Sequence, residues 1–178
     1  MNETDGKKQV LIVEDSAVIR NILSKQLEIL GMKVYPTVKD IPEAVDLAVI
    51  ILPAQANPQA IRDCAARGIK AVVLAAGGFS EVDEKGEELQ EELIRTVRET
   101  GVRVLGPNTS GHTSTPANFT SSFFPLGRLP RGKISYIAQT GNFATHTMRY
   151  IATAENYGVS RVIGLGNKVD IEESAALE

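Results

Sequence analysis

The chain has 178 residues and a net charge of −3, with 43% hydrophobic and 23% charged residues. These values are ordinary for a soluble globular protein and allow one core, or one domain and part of another. The chain has no Lys/Arg cluster dense enough to predict a nucleic-acid surface, and no apolar run long enough to span a membrane. We therefore expect neither a nucleic acid nor a membrane as a partner. A single cysteine, Cys64, excludes an internal disulfide and is typical of a cytoplasmic protein.

Apolar runs alternate with amphipathic stretches from residue 9 to residue 105. Runs that are apolar almost throughout are typical of parallel strands covered on both faces by crossover helices. Glycines stand where the intervening helices must end, at Gly31, Gly68 and Gly101. We therefore predict an α/β fold, a doubly wound parallel sheet of the Rossmann or flavodoxin type with about five strands. The predicted strands are residues 9–13, 32–35, 47–52, 71–75 and 103–105, and the predicted helices are residues 16–30, 58–67 and 83–100.

Residues 107–132 break this alternation and are rich in Asn, Thr, Ser, Pro and Gly. Their last part, residues 125–132, has the composition of a domain linker. The division predicts a first domain at 1–125 and a second, truncated α/β unit at 126–178. Because one strand–helix–strand unit cannot close a core, we expect it to pack on the first domain or a partner, or to self-associate. Its predicted elements are a strand at 133–138, a helix at 143–157, a strand at 161–165 and the start of another helix.

Small residues follow three of the predicted strands, at the edge where ligands bind in doubly wound sheets. Residues without long side chains let a ligand approach the backbone, which predicts a small-molecule site. The alternative is an ordinary set of turns, because Gly and Pro follow strands in most α/β proteins. The three segments are Pro53-Ala54, Ala76-Gly77-Gly78 and Gly106-Pro107-Asn108.

The segment from Gln139 to Asn142 leads directly from a predicted strand into a predicted helix. Free backbone amides at a helix N-terminus suit a phosphate or carboxylate, so Thr140, Gly141 and Asn142 are a candidate anion site. The alternative is an ordinary N-cap by Thr140 or Asn142. The two histidines have no acidic residue nearby in sequence to orient them, which predicts solvated side chains for His112 and His146. With one cysteine besides, their spacing is not typical of a metal site.

Three segments in a fixed order carry a resemblance to a known family. They are Gly106-Pro107-Asn108, Ser135 to Asn142 (SYIAQTGN) and Gly164 to Asp170 (GLGNKVD), and residues 35–42 and 45–50 extend them. With these segments, residues 32–178 resemble the nucleoside-diphosphate-forming acyl-CoA synthetases, the family of the succinyl-CoA synthetase alpha subunit. The resemblance implies an acid–CoA ligase whose first domain binds CoA and whose second domain carries a phosphohistidine.

The resemblance also implies roles for the strand ends and for the helix start. By position, residues 53–54 and 75–77 match strand ends that line the CoA pocket, and Thr140, Gly141 and Asn142 match the helix start that faces the phosphohistidine. CoA, or another nucleotide, is therefore the expected ligand. The predicted CoA-binding residues are Pro53, Ala54, Ala75, Ala76, Gly77 and Asn108.

The chain departs from this family at its start and at its end. Residues 13–18 contain no glycine where the family has a loop that grips the CoA phosphates, and repulsion by Glu14 and Asp15 predicts weakened CoA binding. Neither His112 nor His146 matches the phosphohistidine, so no catalytic residue is assigned. We therefore expect a catalytically incomplete CoA-binding domain, with a partner that supplies the missing ligase half. The acyl group is left open.

Residues 9–31 resemble a second family, the response-regulator receiver domains. This resemblance implies that Glu14 and Asp15, which follow a run of apolar residues, hold Mg²⁺. The alternative is a helix N-cap with favourable dipole placement. The alternative functions are a receiver-like module that binds a divalent ion without phosphorylation, and a chimera of the two families with no activity. The phosphoacceptor and its helper residues are missing, because Ile51-Leu52, Ala75 and Gly106 stand at their positions.

Overall fold

The computed structural model of the protein describes residues 21, 24–27, 29–122, 129–154 and 157–177. The chain divides into two compact units, Met1–Ala44 and Val45–Glu178. The second unit contains the two sheets formed by the described residues, and every predicted site residue except Glu14 and Asp15. Those two residues and the predicted strand at 9–13 lie outside the described residues.

The described part of the first unit is short and mostly irregular. Residues 21, 24–27 and 29 are helical, within the helix predicted at 16–30. A 3-10 turn over Val38–Asp40 follows, and its N-cap is Thr37, whose hydroxyl accepts a hydrogen bond from Lys39 N at 3.2 Å. The predicted strand at 32–35 is wrong, because only Lys33 there makes a single bridge.

Among the described residues, the first sheet contains three parallel strands, which lie side by side in chain order. Val49 pairs with Val73, and Val72 pairs with Val104, so the apolar runs lie side by side, with the second strand between the first and the third. This arrangement confirms the predicted α/β class and the parallel sheet. The elements are β1 Leu47–Ile50, α1 Asn57–Ala66, β2 Ala71–Leu74, α2 Glu84–Thr100 and β3 Arg103–Leu105.

Helix α2 has a clear start signal, an apolar stripe and a clear stop signal in its own sequence. Asp83 is its N-cap, and the carboxylate accepts a hydrogen bond from Gly86 N at 2.8 Å. Leu93 and Val97 lie four residues apart on the buried face, as an amphipathic helix requires. The helix ends at Gly101, which adopts a left-handed φ of 68° that a glycine takes without steric cost.

In the part of the chain that the structure describes, the second sheet contains four strands in the order β5 (Phe119–Thr120), β4 (His112–Ser114), β7 (Val159–Gly164) and β6 (Arg131–Ala138). Strands β6 and β7 are parallel, whereas β4 runs antiparallel to both β7 and β5. Helix α3 buries Ala144, Met148 and Ile151 in one cluster with Val159 and Val162 of β7. The elements are β4 His112–Ser114, β5 Phe119–Thr120, β6 Arg131–Ala138, α3 Gly141–Ala154, β7 Val159–Gly164 and a final helix α4 Glu173–Leu177.

The predicted strand, helix and strand of the second unit are observed as β6, α3 and β7, and two further strands join their sheet. The hairpin of β4 and β5 falls within residues 107–132, which the composition assigned to irregular chain, and it completes the second sheet. The two strands have only three and two residues, and Phe119 is their one apolar residue, so they lack the apolar run that marks the other strands. The domain boundary at 125/126 stays a prediction.

The chain returns from the second sheet to the first after β7. Leu165 is buried with Val73 and Leu105 in a common cluster. Beyond it, Asp170 Oδ2 accepts hydrogen bonds from Val104 N at 2.7 Å and from Arg103 Nε at 2.9 Å. The two sheets of the second unit are therefore joined by an apolar cluster and by one carboxylate.

We expect Asp170→Ala to destabilise the fold by about 1–3 kcal/mol, because it removes the acceptor of a buried amide. Val104 is 0% exposed, so water does not readily replace the carboxylate. Asp170→Asn keeps an oxygen for Val104 N and loses only the ion pair with Arg103, whose side chain is 57% exposed. Exposed ion pairs contribute little, so Asn should cost less than half as much as Ala in urea unfolding. Equal losses for the two variants would contradict this assignment.

Candidate functional site

The carboxyl ends of β1, β2 and β3 form one ridge of small residues. Parallel strands end at the same edge of a sheet, and backbone hydrogen bonds tie the ends together. Ala75 N donates to Ile50 O at 3.1 Å, and Asn108 N donates to Ala76 O at 3.0 Å. The structure thus brings the six predicted CoA-binding residues together: Pro53, Gly77 and Asn108 are exposed, Ala75 and Ala76 half-buried, and Ala54 buried.

The ridge is narrow because its residues lie close to one another. A Cβ on Gly77 would lie 2.8 Å from Glu81 Oε1 and 3.4 Å from Asn108 Oδ1. A Cβ on Gly78, which has a φ of 102°, would lie 3.3 Å from the Cβ of Ala54. The glycines therefore permit the close approach of the Glu81 carboxylate to this loop, and of the β1 and β2 loops to each other.

Sequence reasoning missed a carboxylate at the centre of this site. Glu81 Oε1 accepts hydrogen bonds from Gly78 N at 2.6 Å and from Phe79 N at 3.2 Å. Its other oxygen, Oε2, accepts a hydrogen bond from Asn167 Nδ2 at 2.6 Å. Partial desolvation favours the protonated form, but the hydrogen bonds from Asn167 and the two amides outweigh it and hold the pKa of Glu81 below its usual range.

Asn167 connects this carboxylate to further polar groups. Its Nδ2 also donates to Gln90 Oε1 at 2.9 Å, and Ser80 Oγ donates to the same oxygen at 2.9 Å. Its Oδ1 accepts from Asn108 Nδ2 at 3.5 Å, a long hydrogen bond. The loop after β7 therefore lies against the ridge through a network of neutral side chains around one negative charge.

The candidate anion site lies at the start of α3. Thr140 Oγ1 accepts a hydrogen bond from Phe143 N at 3.4 Å, which is the N-cap arrangement that was the alternative prediction. Thr140 is exposed and Gly141 is half-buried, while the side chain of Asn142 lies outside the described part. A Cβ on Gly141 would lie 3.0 Å from the Cβ of Ser110, so only a small residue fits against that loop.

One loop, residues 106–111, lies between the ridge and the start of α3. Asn108 stands on the ridge side of this loop, and Ser110 contacts the position of Gly141. Thr109 lies between them and holds the loop in place, because its hydroxyl donates to Gly164 O and accepts from Gly111 N. The two predicted sites are therefore neighbours, although 32 residues separate Asn108 from Thr140 in the sequence.

The prediction of a solvated His112 is wrong, because this residue is half-buried on β4. Its ring centroid lies 6.1 Å from that of Phe119. Burial, with a smaller contribution from Arg161, lowers the pKa of His112. His146 is exposed on α3. Within the described ranges, no cluster of His, Cys, Asp or Glu could hold a metal ion. No helix there is long and apolar enough to cross a membrane.

We expect the stability of the fold to fall as the pH drops below the ordinary histidine value of 6.5. The folded protein favours the neutral imidazole of His112, so this contribution is complete above 6.5 and is lost as the pH falls through the lower folded-state pKa. His112→Gln should flatten this part of a urea-unfolding series, whereas His146→Gln at an exposed position should not. An unchanged slope in His112→Gln would refute the assignment.

In α/β proteins with a parallel sheet, nucleotides and coenzymes usually bind at the carboxyl ends of the strands, where this ridge lies. The fold and the ridge therefore define a protein of the nucleotide- or coenzyme-binding class, and comparison with known proteins agrees. The family model described as CoA binding domain matches residues 12–114, more than half of the chain. The chain therefore belongs to the CoA-binding domain family.

Relatives in this family are much longer than this chain. The chain is 39% identical, over 89% of its length, to the alpha subunit of ADP-forming acetate–CoA ligase I of Pyrococcus furiosus, and spans 34% of it. It is 38% identical, over 85% of its length, to ADP-forming acetate–CoA ligase II of Archaeoglobus fulgidus, and spans 23% of it. The apo structure of dinucleotide-forming acetyl-coenzyme A synthetase 1 from Ca. Korarchaeum cryptofilum matches with 34% identity and a TM-score of 0.79, over 95% of this chain and 40% of that one.

These relatives support the first resemblance and not the second. The family match begins at residue 12 and so includes Glu14 and Asp15, the pair on which the receiver-like interpretation rests. The receiver-like start and the chimera therefore gain no support. The Mg²⁺ site at this pair stays a prediction.

Proposed function

We propose that this chain binds CoA on the ridge formed by Pro53, Ala54, Ala75, Ala76, Gly77 and Asn108. The observation that carries the proposal is the exposed position of Gly77 after β2, where the segments that follow neighbouring parallel strands meet and consist mostly of small residues. A flat, amide-containing ligand segment such as the pantetheine arm could lie directly against such a backbone. Membership in the CoA-binding domain family supports CoA over other nucleotides.

We further propose that the domain presents CoA to an ADP-forming acid–CoA ligase and does not complete the reaction alone. The names of the relatives support this role, and the chain spans about a quarter to a third of their length. Thr140 and Gly141 are proposed to receive a phosphate or carboxylate beside the ridge, since α3 begins there. A partner, or another segment of a longer ligase, would supply the phosphohistidine. Binding without turnover is the expected behaviour of the isolated chain.

Calorimetric titration and thermal melts with CoA test the proposal. Binding to the folded state at saturation should raise the melting midpoint by several degrees. ADP, which has diphosphate but no pantetheine, should bind more weakly than CoA if the ridge takes the pantetheine arm. Absence of both heat and a midpoint shift at millimolar CoA would refute the proposal.

Two further predictions can be tested in the same melts. Mg²⁺ alone should raise the midpoint if Glu14 and Asp15 hold the ion, and Asp15→Ala should abolish that rise. Light scattering over a range of concentrations tests the predicted self-association. A monodisperse monomer at high concentration would contradict it.

A further inference from the structure

The loop after β2 already contains an anion of its own. Two successive backbone amides, Gly78 N and Phe79 N, point at Glu81 Oε1 at 2.6 and 3.2 Å. Adjacent amides aimed at one point form a concave site that binds phosphates and carboxylates in many proteins. Here the chain fills that site with its own side chain.

The same carboxylate holds two loops together over the ridge. Glu81 Oε2 accepts the hydrogen bond from Asn167, which follows β7, and Asn167 in turn contacts Asn108 on the ridge. The side chain of Phe79 is 0% exposed and packs in the core, so it holds the loop and its Gly78 and Phe79 amides in place. Glu81 itself is exposed, which means that the link can be removed without opening the core.

We propose that Glu81 is a positioning and specificity residue that reserves the ridge for an uncharged part of the ligand. Its carboxylate saturates the two amides beside Gly77, so a ligand phosphate gains no hydrogen bonds there and meets a negative charge. An amide-bearing segment is not repelled and can use the polar oxygens of Glu81 and Asn108. This inference rests on the proposed binding of CoA and specifies which part of CoA lies at Gly77.

Three substitutions distinguish the charge of Glu81 from its hydrogen bond to Asn167. Glu81→Ala removes both, and Glu81→Gln keeps an acceptor oxygen but removes the charge. Asn167→Ala cuts the link and leaves the carboxylate on the two amides. Glu88→Gln, on the exposed surface of α2, makes the same charge change away from the ridge and is the matched control.

We expect the affinity for CoA to fall at least about ten-fold in Glu81→Ala, the loss associated with hydrogen bonds to a charged group. Glu88→Gln should bind as the unmodified protein does.

Formate provides a readout that a merely structural role would not move. In Glu81→Ala the amides of Gly78 and Phe79 are free, so sodium formate should raise the melting midpoint and partly restore CoA affinity. Sodium chloride at equal ionic strength should do neither. The unmodified protein should not respond to formate, because its own carboxylate occupies the amides.

The outcomes distinguish this inference from the proposed function. If the unmodified protein binds CoA, and Glu81→Ala binds it within two-fold of that affinity with no response to formate, the role of Glu81 is refuted while CoA binding stands. If the unmodified protein does not bind CoA, the proposed function fails. The formate effect on the melting midpoint then still tests whether Glu81 occupies the amides, and a formate response in the unmodified protein would overturn that claim.

Discussion

Replacing Gly77 with leucine should reduce the affinity for CoA at least about 100-fold and leave the fold stable, as expected when a side chain fills a buried ligand contact. Gly77 is exposed in the loop after β2, and the atoms nearest its Cβ position belong to two side chains, Glu81 and Asn108. Those ends can move aside, so the folded protein tolerates the change. The ligand cannot tolerate it, because the leucine side chain occupies the space next to the backbone.

Two further variants test whether the loss of CoA affinity depends on the size of the side chain at Gly77. Gly77→Ala introduces a smaller side chain there, and Lys70→Leu is the control. Alanine should give an intermediate loss, since its single methyl displaces the Glu81 carboxylate without covering the ridge. Lys70→Leu introduces the same side chain at the opposite end of β2, where it is exposed and distant from the ridge. Titration calorimetry should show near-normal CoA binding in Lys70→Leu. Retention of CoA affinity in Gly77→Leu would place the ligand elsewhere and contradict the ridge.

The second large effect concerns stability: Gly166→Ala should destabilise the second unit by about 3 kcal/mol or more. Gly166 has a left-handed φ of 66°, and a Cβ there would lie 2.0 Å from Pro107 O and 2.9 Å from Asn108 O. These are backbone atoms, which cannot swing away as side-chain ends do. The substitution therefore forces apart the loops after β3 and β7, which carry Asn108 and Asn167.

Gly101→Ala is a closely matched control for the backbone conformation. Gly101 has a φ of 68°, but nothing lies within 4 Å of its Cβ position. It should therefore cost only about 1–2 kcal/mol, the price of the left-handed conformation alone. Urea unfolding of both variants gives the difference, which measures the contact between the two loops. Equal destabilisation would mean that the close approach at Pro107 contributes nothing.

The first sheet and its helices could be read from the sequence because their signals are local. The helix predicted at 83–100 is observed as Glu84–Thr100, and the strand at 103–105 as Arg103–Leu105. The helix is marked by its N-cap Asp83, its apolar stripe and its terminal Gly101, and the strand is marked by the apolar residues Val104 and Leu105. The hairpin of β4 and β5 has no such signal: its strands contain one apolar residue, Phe119, and they are strands because β4 pairs with both β5 and β7.

The composition of the site divides in the same way. The sequence by itself determined the ridge at Pro53, Gly77 and Asn108, because parallel strands place their ends at one edge whatever their lengths. Only the tertiary structure decided that Glu81 meets Asn167 across 86 residues, and that the ridge and the start of α3 flank one loop. Periodicity and turn chemistry describe neighbours along the chain. Contacts between loops depend on how two sheets pack, and that packing is set by many buried side chains together.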